Sequence, residues 1–302
     1  MFDRSNLKIK PMKIRSIRFV IAAALAALPG LLLAQSSAHY TPGIEGIKGA
    51  SLPPPGFYAK DYNVAYYATR VNDASGNEHS PSGFETFAYV NVPRAIWITD
   101  TKFLGGYVGV DALLPLVYQH LQMAGYDNGT FGIGDFYAEG TLSWHVKQFD
   151  FAVASGIWAP TGDFAPNSTR AGMGYWTFMQ TAGATWYIDE AKTWAVSALN
   201  RFEFNTEQRD THITYGDAYT LEWGISKSVC KEADLGVVGY YQQQVTGNSN
   251  KSPLNRVAAI GPEVSCMFPK QMLFLSLRYN YEFMAESRAQ GHTIALTLTK
   301  RL

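Results

Sequence analysis

The sequence predicts an all-β protein, a transmembrane antiparallel up-and-down β-barrel of about twelve strands, with short periplasmic turns and longer extracellular loops. Three observations predict it. The N-terminus is basic, then apolar, then rich in small residues, the order of an export signal. Long segments further on alternate apolar and polar residues with period two. The gaps between those segments alternate between short and long.

Composition sets the limits. Of 302 residues, 17% are charged and 14% aromatic, with 18 Tyr, 17 Phe and 7 Trp. Ordinary soluble domains carry roughly 25% charged residues. Mean hydropathy is only -0.11, far from that of a helical membrane protein. Few charges, many aromatics and neutral hydropathy suit strands with one greasy and one polar face. The 25 basic and 25 acidic residues cancel, so nothing points to a nucleic-acid partner.

Lys8, Lys10, Lys13, Arg15 and Arg18 form a basic region, and Phe19 to Leu33 are largely apolar, interrupted by Pro29 and Gly30. Small residues follow at Ala34, Ser36 and Ala38. Residues 1–38 are therefore read as a cleavable signal peptide. Cleavage after Ala38 makes His39 the first mature residue; cleavage after Ala34 is the other candidate, and Met12 is a candidate initiator. An anchor helix is the competing reading, but the run falls short of the ~20 residues that span a bilayer. Export without a spanning helix leaves the periplasm or the outer membrane of a Gram-negative bacterium.

The strand pattern favours the membrane. At the C-terminus, Ile294, Leu296 and Leu298 alternate with Thr293, Ala295, Thr297 and Thr299. Leu273, Leu275, Leu277, Tyr279, Tyr281 and Phe283 alternate with Ser276, Arg278, Asn280 and Glu282. The aromatics gather toward one end of the apolar face, as in an interfacial girdle. Similar alternation runs through Val108–Tyr118, Phe136–Val146, Phe149–Ile157, Trp194–Phe204 and Tyr219–Ser226. Noisier strands are read near 56–70, 84–99, 176–188, 234–246 and 255–268. These are longer than the roughly 5–6 residues usual in soluble proteins and match spanning strands.

Short gaps fall near 100–102, 147–148, 189–192, 230–233 and 268–271. Longer ones fall near 71–83, 123–130, 162–175, 207–215, 247–254 and 285–290. Barrels of this class have short periplasmic turns and long external loops, so both termini are placed in the periplasm. Before the barrel (residues 56–302) lies a Pro/Gly-rich stretch, 39–55, ending Pro53-Pro54-Pro55. Prolines cannot donate to a β-ladder; this stretch is an arm on the periplasmic side or a plug in the lumen.

Charged groups avoid lipid, so functional residues are sought on the inward face. The alternation turns Tyr107, Asp111, Asp135, Tyr137, Glu139, His145, Arg201, Glu203, Glu222, Arg278 and Glu282 inward as pore-lining candidates, with Tyr187 beside them. They carry both signs, which suits either a salt-bridged interior or a narrow polar pore; twelve strands fall between side-chain-filled and open barrels. Ser143 and His145 raise an outer-membrane hydrolase, but two residues on one strand are not by themselves a nucleophile–base pair. The six histidines are scattered without ligand spacing, so no metal or cofactor is expected. Cys230 and Cys266 lie at the short-turn side, two strands and about 10 Å apart at the wall, beyond disulfide reach unless turn residues close the gap.

Several motifs resemble one family. Tyr40-Thr41-Pro42-Gly43-Ile44-Glu45-Gly46 precedes Pro53-Pro54-Pro55-Gly56-Phe57-Tyr58. Then come Gly132-Ile133-Gly134-Asp135, Ala159-Pro160-Thr161-Gly162 and Asn200-Arg201-Phe202-Glu203-Phe204-Asn205. Gly216-Asp217 to Glu222, Gly239-Tyr240-Tyr241-Gln242-Gln243 and the last strand, Leu296 to Leu302, complete the series. In this order they resemble the meta-pathway phenol-degradation family of outer-membrane proteins, over nearly the whole mature chain. The resemblance implies a channel for passive uptake of small hydrophobic or aromatic compounds, embedded in the outer membrane by the barrel-assembly machinery. Leu302 departs from the aromatic last residue usual in such barrels. The alternative function is a structural or adhesive barrel with a plugged lumen.

Overall fold

The structure, a computed structural model, describes residues 38–166, 169 and 171–302. The segment read as a signal peptide, apart from Ala38, lies outside the described residues. No helix among the described residues is long and apolar enough to cross a membrane.

Fourteen strand segments form one antiparallel sheet. They are β1 (Gly56–Asn72), β2 (Glu85–Phe103), β3 (Gly106–Leu113), β4 (Leu116–Met123), β5 (Tyr126–Ile133), β6 (Phe136–Val146) and β7 (Phe149–Ala159). Then follow β8 (Thr177–Tyr187), β9 (Trp194–Asn205), β10 (Ala218–Cys230), β11 (Ala233–Gln244), β12 (Arg256–Phe268), β13 (Leu273–Glu286) and β14 (Arg288–Arg301). β3 and β4 are two halves of one interrupted strand, and so are β5 and β6, so the wall has twelve staves. β1 closes the sheet by pairing with β14 from Tyr58↔Arg301 to Asn72↔Arg288 and with β2 on its other side. Closure leaves no sheet edge in the hydrocarbon, the condition a membrane imposes on strands.

The period-two pattern sorts the two faces. On β13, Ser276, Arg278, Asn280 and Glu282 are buried inside, while Leu277, Tyr279, Tyr281 and Phe283 are exposed outside. Phe57 stacks on Trp97 and Phe149 on Phe151 at the end where β1 begins and β14 finishes. Tyr279 and Tyr281 meet His292 further up. Rows of aromatics thus flank an apolar belt.

The turns at 104–105, 147–148, 188–193, 231–232 and 269–272 gather at the end where β1 begins and β14 finishes. Leu104 (φ 51) and Gly105 (φ 80) give the first a mirror-type hairpin turn. The opposite end carries 73–84, 160–176, 206–217 and 245–255.

Two expected loops are absent. Residues 123–130 are not a loop. Ala124 (φ 47) and Gly125 (φ 83) make a two-residue turn, and β4 and β5 pair from Leu116↔Ile133 to Met123↔Tyr126. The Asp127-Asn128-Gly129 composition read as loop because it is polar, but β-ladder bonds hold polar residues once a strand rises out of the hydrocarbon. Residues 285–290 are likewise strand, broken only at Ser287 (φ 51). Cys230 and Cys266 are free thiols. Ala233 of β11 pairs with both, on its two sides, which keeps them two strands apart.

Candidate functional site

Residues 38–55 thread the lumen beside the inner wall. The Tyr40 amide donates to Glu203 Oε1 (3.0 Å) and its hydroxyl to Glu222 Oε2 (2.6 Å). The Gly43 and Glu45 amides donate to Glu222 Oε1 (2.9 and 3.0 Å), and the Ile47 amide to Glu263 Oε2 (2.9 Å). Lys60 Nζ grips both Glu45 oxygens (2.8 and 2.9 Å), and Lys48 reaches Asp234 (2.6 Å). Wall carboxylates therefore take up amides that the proline- and glycine-rich arm cannot satisfy within itself. Glycine lets the backbone come this close. A Cβ on Gly46 would stand 1.8 Å from Glu263 Oε2, and one on Gly43 would stand 2.8 Å from the Tyr240 ring.

The residues singled out in the sequence fall into groups. Arg94 forks onto both Asp111 oxygens (2.8 Å each) and reaches Glu139 Oε1 (2.6 Å), while the Tyr137 hydroxyl donates to Glu139 Oε2 (2.6 Å). Arg201 pairs with Glu222 and lies over the Tyr40 ring (3.9 Å), with Glu203 two residues along the same strand. Arg278 pairs with Glu263 (3.1 Å) and donates to the Ile44 carbonyl. Glu282 accepts from Tyr66 (3.0 Å), Tyr240 (2.9 Å) and the Gly291 amide (2.6 Å). Tyr107 and His145 lie apart from these, near the short turns. Tyr107 sits under Lys102 (4.6 Å) and His145 bonds Asp150 (2.8 Å), which also accepts from Tyr187 (2.9 Å). Ser143 Oγ has no partner among the described residues and the His145 bond goes to Asp150, so these two form no nucleophile–base pair.

Sequence reasoning missed Arg94, Glu263, Glu45 and Lys60. Arg94 shares the inward face of its strand with the apolar Val92, Ile96 and Ile98, and with Pro93 beside it the two faces are not sorted by polarity. Glu45 and Lys60 are partners across the arm, and no periodicity connects an arm to a wall.

The second feature is a break in the wall. Pro115 and Gly134 interrupt two neighbouring strands, level with Pro93 of the unbroken β2. The Leu114 amide reaches the Pro93 carbonyl (3.3 Å) and the Gly134 amide the Pro115 carbonyl (2.8 Å). Prolines supply no ladder donor there. β6 pairs with β7 only as far as Phe136↔Ala159, and β5 continues upward with no strand on that flank. Residues 160–166 and 171–175 fill the notch. The Asp163 amide donates to the Ile133 carbonyl (2.8 Å), and Asp163 Oδ2 accepts from the Ile133 amide (3.0 Å).

Asp135 ties this notch together. It accepts from the Gly162 amide (2.8 Å) and the Met173 amide (2.7 Å), and bonds His39 Nε2 (2.9 Å). His39 also bonds Thr177 (2.8 Å) and stacks on Trp158 (5.3 Å). One carboxylate thus joins the arm, the wall break and the loop. Behind it lies an apolar cluster of Tyr40, Ile44, Tyr62, Val64, Val92, Leu113, Tyr137, Trp158 and Met179.

The comparisons agree with this architecture. The family described as "Putative MetA-pathway of phenol degradation" matches residues 68–298. The chain belongs to this family. Among curated proteins no relative matches it. Of solved structures, the COG4313 outer membrane channel from Pseudomonas putida F1 is similar at a TM-score of 0.74 and 14% identity, over 87% of this chain and 100% of that one. The β domain of the Bordetella autotransporter BrkA is similar at a TM-score of 0.50 and 11% identity, over 82% and 99%. Both are far apart in sequence from this member of the family and share its fold: a closed outer-membrane β-barrel.

Proposed function

We propose that the protein is an outer-membrane channel for passive uptake of small hydrophobic or aromatic compounds, and that they pass through the wall break rather than along the barrel axis. One observation carries the reading. The arm occupies the axis with at least five ionic or charge-assisted contacts, whereas the notch filled by 160–166 and 171–175 opens onto the aromatic cluster around Tyr137 and Trp158. A ring-shaped solute gains apolar burial and ring stacking there. The family's connection with phenol degradation and the chain's structural likeness to an outer membrane channel of Pseudomonas putida point the same way. The eleven inward residues named above then act chiefly as arm anchors and interior ion pairs, with Tyr137 and Asp135 next to the solute path.

The reading also includes export by the N-terminal signal, assembly by the barrel-assembly machinery and the absence of catalysis. The test is flux of phenol and toluene into vesicles with a lipopolysaccharide outer leaflet. The protein is expected to speed entry of these solutes and not of a sugar of similar size. Equal entry with and without protein would overturn it.

A further inference from the structure

The outward face of β1 and β2 carries a feature that uptake through the wall break does not use. Residues paired directly across an antiparallel ladder share a face. Asp61 pairs with Leu298 on one side and Pro93 on the other, and Asn63 pairs with Leu296 and Asn91. Leu296 is exposed on the lipid side, so Asp61, Asn63 and Asn91 also face outward. Below them stand Phe57 and Trp97, stacked at 5.2 Å, and above them Tyr67 and Tyr89, both exposed. At about 3.3 Å per residue, Asp61 lies about 13 Å along the strand from Phe57 and about 20 Å from Tyr67. It is therefore at hydrocarbon depth.

The three side chains form one network. Asp61 Oδ2 accepts from Asn63 Nδ2 (2.7 Å) and Oδ1 from Asn91 Nδ2 (2.9 Å). Asn63 Oδ1 accepts from the Tyr89 hydroxyl (2.6 Å) and Asn91 Nδ2 (3.2 Å). On one flank the outward positions are small, Ala59 opposite Ala95; on the other Ala65 lies opposite Tyr89, whose hydroxyl belongs to the network. The neighbouring strand β14 instead presents Ile294, Leu296 and Leu298 at the same level. Polar groups at this depth are unfavourable against acyl chains, and internal bonding leaves part of the network open. Asn91 Oδ1 and the second Asn63 Nδ2 hydrogen have no partner among the described residues.

We propose that this face is a two-fold interface with a second copy of the chain. A spare amide donor and a spare amide acceptor, side by side on a surface with small residues on one flank, satisfy each other twice when the surface meets itself about a two-fold axis. Asn63 Nδ2 of each copy then donates to Asn91 Oδ1 of the other. Asp61 lies off the axis and orients both amides, so the two carboxylates do not face each other. Small residues let the walls approach and amide bonds join them, as between helices in lipid.

The test uses the full barrel in lipid nanodiscs and vesicles, with Cys230→Ser and Cys266→Ser. Ala65→Cys is expected to cross-link between copies with a short bis-maleimide, and Val153→Cys, four staves further round the wall on β7, is not. Asn63→Leu with Asn91→Leu is expected to lower the cross-linked fraction at least about tenfold, since both intersubunit amide bonds are lost. This variant also carries Asp61→Leu, because that carboxylate would otherwise lose both its amide donors in the hydrocarbon; heat-modifiable gel migration checks that the barrel is folded. A protein that stays monomeric by native mass spectrometry at all protein-to-lipid ratios would overturn the proposal. Undiminished cross-linking in the leucine variant would do the same.

Discussion

Removing the main wall anchor of the arm should open the barrel axis. Glu222 takes three hydrogen bonds from the arm, from the Tyr40 hydroxyl and the Gly43 and Glu45 amides, and pairs with Arg201. Deleting Glu222 alone would leave the Arg201 cation buried and unpaired, which by itself is strongly destabilising. The cleaner change is Arg201→Met with Glu222→Leu, which removes both charges and keeps the volume. Three arm donors then lose their acceptor. At about 1 kcal/mol net per bond, the arm is loosened by about 3 kcal/mol, or about a hundredfold in its displaced population. Planar-bilayer recording measures this directly. The parent protein is expected to be nearly silent, the double variant to show discrete openings with about a hundredfold greater open probability, and a variant lacking residues 39–54 to be open throughout. If the arm-deleted barrel folds and is as silent as the parent, the arm is not what closes the axis.

Other predictions follow from single contacts. Arg94→Met strands Asp111 and Glu139, which otherwise share its guanidinium; barrel stability in urea should fall by about 3–5 kcal/mol. Gly162→Val places a side chain against the backbone of Gly134 and Ile133, where even a Cβ stands at 2.6 and 2.7 Å; proteolysis within 160–175 should rise several-fold while the barrel stays heat-modifiable. Asp189, in the turn before β9, accepts from the Trp194 amide and from the Thr193 amide and hydroxyl, and these bonds hold its carboxyl below the ordinary value. A depressed value means that the turn's contribution is present above the unfolded value and is lost as pH falls through the folded one. Protection of the Thr193 and Trp194 amides relative to their intrinsic exchange rates should accordingly fall only in acid, and Asp189→Asn should abolish that pH dependence of the protection.

The barrel was legible in the sequence because lipid outside and water or ions inside impose a strict period of two on every spanning strand. Ser276 to Phe283 show this pattern without error. Legibility failed where the constraint relaxes. Asp127-Asn128-Gly129 sits on a hairpin beyond the hydrocarbon, where polar residues tolerate strand pairing on both faces. Arg94 stayed hidden inside a segment read as a noisy strand, because it shares its face with Val92, Ile96 and Ile98 and so did not stand out as an inward charge. The inward candidates were found by alternation alone, so Asp111, Glu139 and Tyr137 emerged but the arginine joining them did not. The contacts of the arm were not legible at all. Glu45 to Lys60 and Tyr40 to Glu222 are juxtapositions made by threading, which no local pattern records.

The central claim is that aromatic solutes cross by the wall break while the arm remains in place. A Cβ on Gly183 would stand 2.9 Å from that of Ala50, so Ala50→Cys with Gly183→Cys, in a background of Cys230→Ser and Cys266→Ser, can tether the arm to the wall by a disulfide. Phenol flux into lipopolysaccharide-faced vesicles should be the same for the oxidised, tethered barrel as for the parent, with ion conductance absent in both. Flux that falls to the protein-free rate on oxidation and returns on reduction would contradict the account and assign transport to the axis.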